Sequence, residues 1–389
     1  MSTPIYLDFA AATPLDDRAL TAMKPYLADQ FYNPSAVYQS ARNVRRDLED
    51  ARARVADVLG AKDQEIIFTA GGTEANNLAI EGIMSQFPEG NIVVSSIEHE
   101  SVLEPAKHYE CRVAPVTEKG IVDLDKLEKL IDEKTVLISV MYANNEIGTI
   151  QPIKEIASLI AKKRSQRSNQ KPQTTNYPLL IHTDACQAAN FLDLHVSRLG
   201  IDLMTLNGGK IYAAKQSGCL YVRAGVELEP LVRGGGQESS LRSGTENVSS
   251  IMAFATMLQN VQAERKEESA RLKDLSDSMF TTLSQNIPNL TLNGDSQKRL
   301  PNNLNILIPG IDGERVLLEL DEAGVMVATG SACTASNDAP SHVLLAIGLK
   351  EAEANSSLRI TLGRTTTSEQ ITKVAQIISS TINAHVSLL

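Results

Sequence analysis

The alternation of short apolar runs with helical segments between residues 65 and 223 constrains the fold of this chain more than any other feature. Four runs of strand length, separated by polar loops and helical segments, occupy residues 65–69, 91–95, 135–141 and 179–183. Near-continuous apolar strands that alternate with helices are typical of a parallel sheet covered by helices on both faces. The sequence therefore predicts an α/β domain.

Polar residues follow these apolar runs at the predicted strand ends. Ligands of a parallel sheet bind outside the carboxyl ends of its strands, so side chains in these positions face a common crevice. Five residues occupy such positions: Thr73, His99, Asn145, Asp184 and Lys210. The topology alone predicts that these five polar groups lie close together.

Lys210 lies in a glycine-containing loop between an apolar strand and a second strand that begins at Gly218. A lysine at a strand end that is partly withdrawn from water can form a Schiff base through its amine. A solvated lysine in a turn is the plainer interpretation of the same residues. The choice between them depends on the partners that the fold brings to Lys210.

Gly71, Gly72 and Thr73 come directly before a predicted helix. Backbone amides at a helix N-terminus bind a phosphate group with the help of a hydroxyl, although the same residues also form an ordinary helix cap. The sequence has no P-loop pattern, which disfavours a nucleoside triphosphate. Asp184 suits either a protonated ring nitrogen or a helix cap, and His99 suits proton transfer, ring stacking or a structural role.

Two residues in the last third of the chain carry further candidate chemistry. Cys333 lies among small residues in GSACTAS, which predicts the accessible thiol that a thiolate nucleophile requires. Arg359 lies in alternating strand sequence, where it either presents its guanidinium group to a carboxylate or is a surface arginine of an edge strand. The other cysteines lie far apart without a CxxC pair, which disfavours a zinc site or a disulfide framework.

Length and charge narrow the class of protein. A chain of 389 residues usually forms two or three domains. We predict a domain boundary near Glu264, because one helix ends near Gln262, a second helix follows it, and the pattern then changes to α+β.

The net charge of −10 disfavours nucleic acid or an anionic membrane as a partner. No apolar run approaches the roughly 18 residues that span a bilayer, and residues 1–8 lack a secretory pattern, so we expect a cytoplasmic protein.

A dozen short motifs in a fixed order resemble those of the cysteine desulfurases, pyridoxal-phosphate (PLP) enzymes of the class V aminotransferase superfamily. They are YLDFAAATP, NPSA, GGTEANN, EHESV, NNEIG, HTDACQ, GGKIY, GGGQE, LRSGTEN, NGD, GSACTAS and SSLRITLGR. The resemblance implies a PLP-dependent transferase of fold type I, with a large, mainly parallel seven-stranded sheet domain and a smaller α+β domain, assembled as a homodimer. It implies an N-terminal segment (1–15) packed with the small domain, a large PLP-binding domain (16–263) and a small domain (264–389) carrying the Cys333 loop of the long-loop type.

The resemblance also implies a role for each candidate residue. Lys210 would form the Schiff base with the cofactor, Asp184 would keep the pyridine nitrogen protonated, and His99 would stack on the ring and move protons. Thr245 would reach the phosphate bound by the other subunit. The complete set of implied cofactor-binding residues is Gly72, Thr73, His99, Asp184, Gln187, Asn207, Lys210 and Thr245.

Asn145 and Arg359 would bind the carboxylate of L-cysteine, and Cys333 would take its sulfur as a persulfide and leave alanine. The sulfur would pass to an acceptor protein, such as an iron–sulfur scaffold or a sulfur carrier, for iron–sulfur cluster or thiolated tRNA synthesis. A selenocysteine lyase, another class V PLP enzyme and a degenerate, non-catalytic scaffold with weakened cofactor binding are the alternatives.

The cofactor loop departs from this resemblance at two positions. Cysteine desulfurases usually have Ser-Gly-His-Lys here, whereas this chain has Asn207, Gly208, Gly209 and Lys210. The serine and the histidine, whose side chains are expected to bind the phosphate, are replaced by Asn207 and Gly209. Each lost charge-assisted contact is worth about 1.5–3 kcal/mol. The sequence therefore predicts weaker cofactor retention than in a typical member, unless Asn207, a water molecule or Thr245 compensates.

Overall fold

The chain forms strands and helices throughout the residues that its computed structural model describes, which are 4–169, 177–330 and 339–386. Up to residue 223 they are β1 Ile5–Tyr6, α1 Asp17–Met23, α2 Pro25–Ala28, α3 Gln39–Leu59, β2 Ile66–Thr69, α4 Gly72–Met84, β3 Asn91–Ser95, α5 Glu100–Ala106, β4 Glu110–Ala114, α6 Leu124–Leu130, β5 Thr135–Ser139, α7 Ile153–Asn169, β6 Leu180–Asp184, α8 Val196–Leu199, β7 Leu203–Asn207 and β8 Gly218–Val222. After residue 223 they are α9 Val248–Asn286, β9 Thr291–Leu292, β10 Asn303–Leu307, α10 Gly313–Glu322, β11 Val325–Met326, α11 His342–Ala346, α12 Glu351–Asn355, β12 Ser357–Thr361 and α13 Ser368–Val386.

The predicted mainly parallel, seven-stranded sheet is confirmed. Its strands follow the order β2-β8-β7-β6-β5-β3-β4. Strand β8 is antiparallel to both of its neighbours, and the other six strands run in one direction. The carboxyl ends of β3, β5, β6 and β7 therefore meet at the same edge of the sheet.

Helices cover both faces of this sheet because successive apolar residues of each strand point to opposite sides. Helices α3, α7 and the first half of α9 pack on one face against residues that include Phe68, Ile138 and Met204. Helices α4 and α5 pack on the other face against residues that include Ile67 and Leu137. Runs that are apolar at every position are thus explained by burial on both sides.

A second, smaller core surrounds the three-stranded antiparallel sheet β12-β10-β9. The second half of α9, together with α10 and α13, packs against it. Ile5 and Leu7 from the start of the chain belong to the same core, and β1 pairs in parallel with β11. Both ends of the chain therefore contribute to this smaller layer.

One continuous helix joins the two cores, and the prediction of two separate helices meeting near Gln262 was wrong. Helix α9 runs for 39 residues from Val248 to Asn286 without a break. Its residues 263–271 read AERKEESAR, which changes the apolar pattern but contains neither glycine nor proline to end a helix. The predicted boundary at Glu264 therefore falls inside a helix.

A buried ion pair fastens the loop before α9 to helix α3. Arg52 Nη1 and Nη2 donate to Glu238 Oε2 and Oε1 at 2.8 and 2.7 Å, and the two residues are 9% and 7% exposed. The backbone N–H of Phe68 also donates to Glu238 at 2.8 Å. Glu238 and Ser239 have φ values of 47° and 57°, a region that residues other than glycine rarely occupy. The ion pair therefore holds backbone that would otherwise relax.

None of the helices in the described part of the chain combines the length and the apolar character needed to cross a membrane.

Replacing Arg52 with methionine is expected to lower the free energy of unfolding by about 3–5 kcal/mol, because Glu238 would remain buried without its partner. Arg45→Met is the matched control on the same helix, since Arg45 pairs with Glu49 in an exposed i,i+4 arrangement. That variant should lose at most about 0.5 kcal/mol. Denaturant unfolding measures both differences, and equal losses would contradict the anchoring role of Arg52.

Candidate active site

Nine of the residues singled out from the sequence line a single cavity of about 200 Å³ at the carboxyl edge of the large sheet. Asp184 ends β6, Lys210 follows β7, and His99 and Asn145 lie in the segments after β3 and β5. The nine residues are Gly72, Thr73, His99, Asn145, Asp184, Gln187, Asn207, Lys210 and Arg359. The parallel order of the strands brings the five predicted strand-end residues together, whereas Arg359 comes from β12 of the smaller sheet.

Of the two remaining candidates, one lies outside this lining and the other lies outside the described residues. Thr245 is exposed in the loop before α9 and is not among the described residues that line the cavity. Cys333 lies outside the described residues, so the interpretation of its loop stays a prediction.

The carboxylate of Asp184 is buried and held by two donors. Its Oδ2 accepts a hydrogen bond from Asn76 Nδ2 at 2.7 Å, and its Oδ1 accepts one from the backbone N–H of Cys186 at 2.9 Å. Only 6% of Asp184 is exposed. A buried carboxylate that lines a cavity favours a positively charged ligand atom beside it, such as a protonated ring nitrogen.

The same hydrogen-bond network reaches His99, which is the N-cap residue of α5. Asn76 Nδ2 also donates to Ser101 Oγ at 2.8 Å, and the backbone N–H of Ser101 donates to His99 Nδ1 at 3.0 Å. Because Nδ1 accepts this bond, a neutral His99 carries its proton on Nε2. The ring is therefore oriented by its own helix cap.

Lys210 is held against the start of the chain. Its Nζ donates to the carbonyl oxygens of Ala10 and Ala11 at 2.8 and 2.5 Å. Gln187 Nε2 donates to the Ala10 oxygen as well, at 2.9 Å, and the Thr13 N–H donates to Gly209 O at 3.1 Å. The N-terminal segment thus closes one side of the cavity and fixes the lysine there.

Arg359 is 1% exposed, so its interpretation as a surface arginine of an edge strand was wrong. Strand β12 does lie at the end of its sheet, but bridges from Ala328 and Asp8 cover its outer edge. Arg359 Nη2 donates to Asp8 Oδ1 at 2.6 Å, while its buried Nε has no partner among the described residues. The guanidinium group therefore keeps donor capacity for an anionic ligand.

The start of α4 has the shape of a phosphate cradle. Gly71 has a φ of 121°, which favours glycine, and a Cβ added to Gly72 would lie 2.8 Å from Cys186 Sγ and 3.4 Å from Asn207 Nδ2. The backbone of the first turn therefore reaches the cavity without a side chain in between. Amides at a helix N-terminus, the Thr73 hydroxyl and the Asn207 amide form a donor set suited to a phosphate.

Sequence reasoning did not identify three residues that support the site: Asp8, Asn76 and Ser101. Asn76 lies one helical turn after Thr73 on α4, and that i,i+3 spacing is a signal that places both on one face. Asp8 and Arg359 are separated by 351 residues, and no local pattern links them.

Glu98 joins the ends of β3 and β5 as a fully buried carboxyl group. Its Oε1 accepts bonds from Ser95 Oγ and from the Met141 N–H, whereas Oε2 has no partner among the described residues. Burial raises the pKa of Glu98 to about 8, which keeps it protonated at neutral pH. The neutral acid thus connects the two strands that precede His99 and Asn145.

The family is shown by comparison with known proteins. Residues 5–374 match the family model of class V aminotransferases. The cysteine desulfurase IscS of Dictyoglomus turgidum is 42% identical over 95% of this chain and 92% of its own length. A solved NifS-like protein from Rickettsia africae has a TM-score of 0.87 and 31% identity, covering 98% of this chain and 99% of its own. A structure described as SspA in complex with cysteine has a TM-score of 0.77 and 32% identity, covering 92% of this chain and 98% of its own.

The fold and the full-length match place the chain in the class V aminotransferase family, whose members are known PLP enzymes. Within that family, it belongs to the cysteine desulfurases.

Glu98→Gln is expected to reduce the pH dependence of stability. Burial raises the pKa of Glu98 to about 8 in the folded state, whereas the same carboxyl group has its ordinary pKa of about 4.5 in the unfolded chain. The stability that Glu98 contributes is therefore complete below pH 4.5 and declines by about 1.4 kcal/mol per pH unit until pH 8.

Unfolding of the wild type and of Glu98→Gln between pH 5 and pH 8 measures this decline, and wild type should lose stability relative to the variant as pH rises. Glu104→Gln controls for the loss of an exposed carboxylate on α5. Parallel curves for wild type and Glu98→Gln would show that Glu98 is not a buried neutral acid.

Proposed function

We propose that the cavity binds PLP and that the protein is an L-cysteine desulfurase, which converts cysteine to alanine and carries the sulfur on Cys333. The observation that carries the proposal is the convergence of Lys210, Asp184, His99 and Arg359 on one cavity. The full-length similarity to a relative named as a cysteine desulfurase supports it. A protein that served only as a scaffold would have no physical use for these four groups in one cavity.

The described residues fit the cofactor because each of its polar groups has a complementary partner in the cavity. The first turn of α4, Thr73 and Asn207 would hold the phosphate, with Thr245 contributed from a second copy of the chain. Asp184 would keep a proton on the pyridine nitrogen, and Gln187 would donate to the phenolic oxygen. When bound, PLP supplies an electron sink for bond breaking in the substrate, with Lys210 as the lysine that attaches it.

Arg359 and Asn145 would bind the substrate carboxylate. Arg359 is oriented through Asp8, and its buried Nε lacks a protein partner among the described residues, which favours a carboxylate ligand there. The structure described as SspA in complex with cysteine, which is similar to this chain, supports the choice of cysteine. His99 is placed to move protons between substrate atoms because its cap bond directs the exchangeable proton to Nε2.

The thiolate of Cys333 would attack the sulfur atom of the bound cysteine. The carbon–sulfur bond breaks, the sulfur stays on Cys333 as a persulfide, and the carbon takes up a proton to become the methyl group of alanine. One cysteine and one thiol thus give one alanine and one persulfide. The persulfide would then pass to an acceptor protein, such as an iron–sulfur scaffold or a sulfur carrier.

We also propose that two copies form a cytoplasmic homodimer in which each chain divides into residues 1–15, 16–263 and 264–389. An exposed group of apolar side chains supports an interface between copies. Phe31 and Val37 are 70% and 83% exposed, and the rings of Phe31 and Tyr32 stack with centroids 4.7 Å apart. Exposed aromatic residues in one patch are typical of contact surfaces.

Release of alanine and sulfide from L-cysteine should be lost in Lys210→Ala and in Cys333→Ala. The control variant Cys111→Ala, which changes a cysteine on edge strand β4, should retain activity. Cys333→Ala should still bind PLP, because its defect lies in sulfur transfer. Quantifying alanine in the presence of a reductant checks each variant. Full turnover by Cys333→Ala would exclude the persulfide route, and a large preference for selenocysteine would favour the lyase alternative.

A further inference from the structure

The cofactor loop would accept a Cβ at Gly209 without a clash. A Cβ added to Gly209 would meet no atom closer than 3.4 Å, and the backbone there does not have the left-handed φ that requires glycine. Gly208 differs, because a Cβ there would lie 2.1 Å from Ser217 Oγ. Glycine at position 209 is therefore not demanded by the fold, and its effect is to remove a side chain beside the phosphate cradle.

Lys215 lies beside Gly209. Of the three heavy atoms nearest to the added Cβ of Gly209, one is Asn207 Oδ1 at 3.4 Å, and two belong to Lys215, Cγ at 3.7 Å and Cα at 4.0 Å. The Gly208 N–H donates to Ser217 O at 2.8 Å, and the Ala213 N–H donates to Gly208 O at 3.0 Å. These bonds fix the turn, so the exposed Lys215 side chain starts from a constant position beside Gly209.

The cradle itself provides only neutral donors, although the phosphate of PLP is doubly charged. The start of α4, Thr73 and Asn207 bring no full positive charge. Lys210 is committed to attaching the cofactor. Arg242, another cation near α4, forms an ion pair with Glu74 at 3.0 Å. Lys215 is therefore the cation best placed to balance the phosphate.

We propose that Lys215, whose stem lies beside Gly209 and the cradle residue Asn207, supplies the positive charge to the PLP phosphate, an inference that rests on the proposed function. The side chain has a flexible four-carbon stem, so its ammonium group can turn from solvent towards Asn207 and the phosphate when the phosphate binds. A flexible ammonium group is less organised than the histidine ring of typical members, which agrees with the prediction that this chain retains the cofactor more weakly.

Equilibrium titration with two probes, PLP and pyridoxal, tests this contact because pyridoxal lacks the phosphate. Lys215→Met should raise the Kd for PLP by about tenfold, the loss expected for one charge-assisted contact. The Kd for pyridoxal should stay unchanged. Lys215→Arg, which keeps the charge, should restore most of the affinity for PLP, and Gly209→His should tighten PLP binding and make Lys215→Met less harmful.

An unchanged Kd for PLP in Lys215→Met would overturn the inference. Equal weakening of PLP and pyridoxal would also overturn it, because that result indicates a structural defect and not a phosphate contact. A wild-type protein that binds neither probe would contradict the proposed function itself, and the inference would fall with it. Binding is measured by the visible absorbance of the bound cofactor, independently of turnover.

Discussion

The buried carboxylate of Asp184 is the charge on which the arrangement of the site depends. A carboxylate withdrawn from water is costly unless donors surround it, so its partners must stay in place for the fold to be stable. Asn76 from α4 and the Cys186 backbone satisfy the two oxygens, and Asn76 extends the network to Ser101 at the start of α5. The ends of three elements are thus fixed relative to one another, and His99 takes its orientation from them.

The N-terminal segment connects this network to the smaller core. Its carbonyl groups at Ala10 and Ala11 hold Lys210, while Asp8 holds Arg359. The proposed attachment lysine and carboxylate-binding arginine lie far apart in the sequence, yet both are positioned by the short stretch of residues 8–11. A cavity assembled in this way depends on both cores, which explains why the residues that line it are spread from Ala10 to Arg359.

Much of the site was predictable because the physics of a parallel sheet is local and repetitive. Apolar runs give the strands, and strand ends give Thr73, His99, Asn145, Asp184 and Lys210. The continuity of α9 was missed because a polar stretch changes the apolar pattern without ending a helix. The burial of Arg359 was missed for another reason: its cover comes from segments far away in sequence, and no periodicity encodes such contacts.

The central claim is that this cavity holds PLP through Lys210 and presents it to cysteine, and an absorbance spectrum tests that claim most directly. Protein saturated with PLP and freed of excess cofactor by rapid filtration is predicted to show visible absorbance of bound PLP. The band should change when L-cysteine is added and return as the amino acid is consumed. Absence of bound PLP, or a band that cysteine leaves unchanged, would contradict the account.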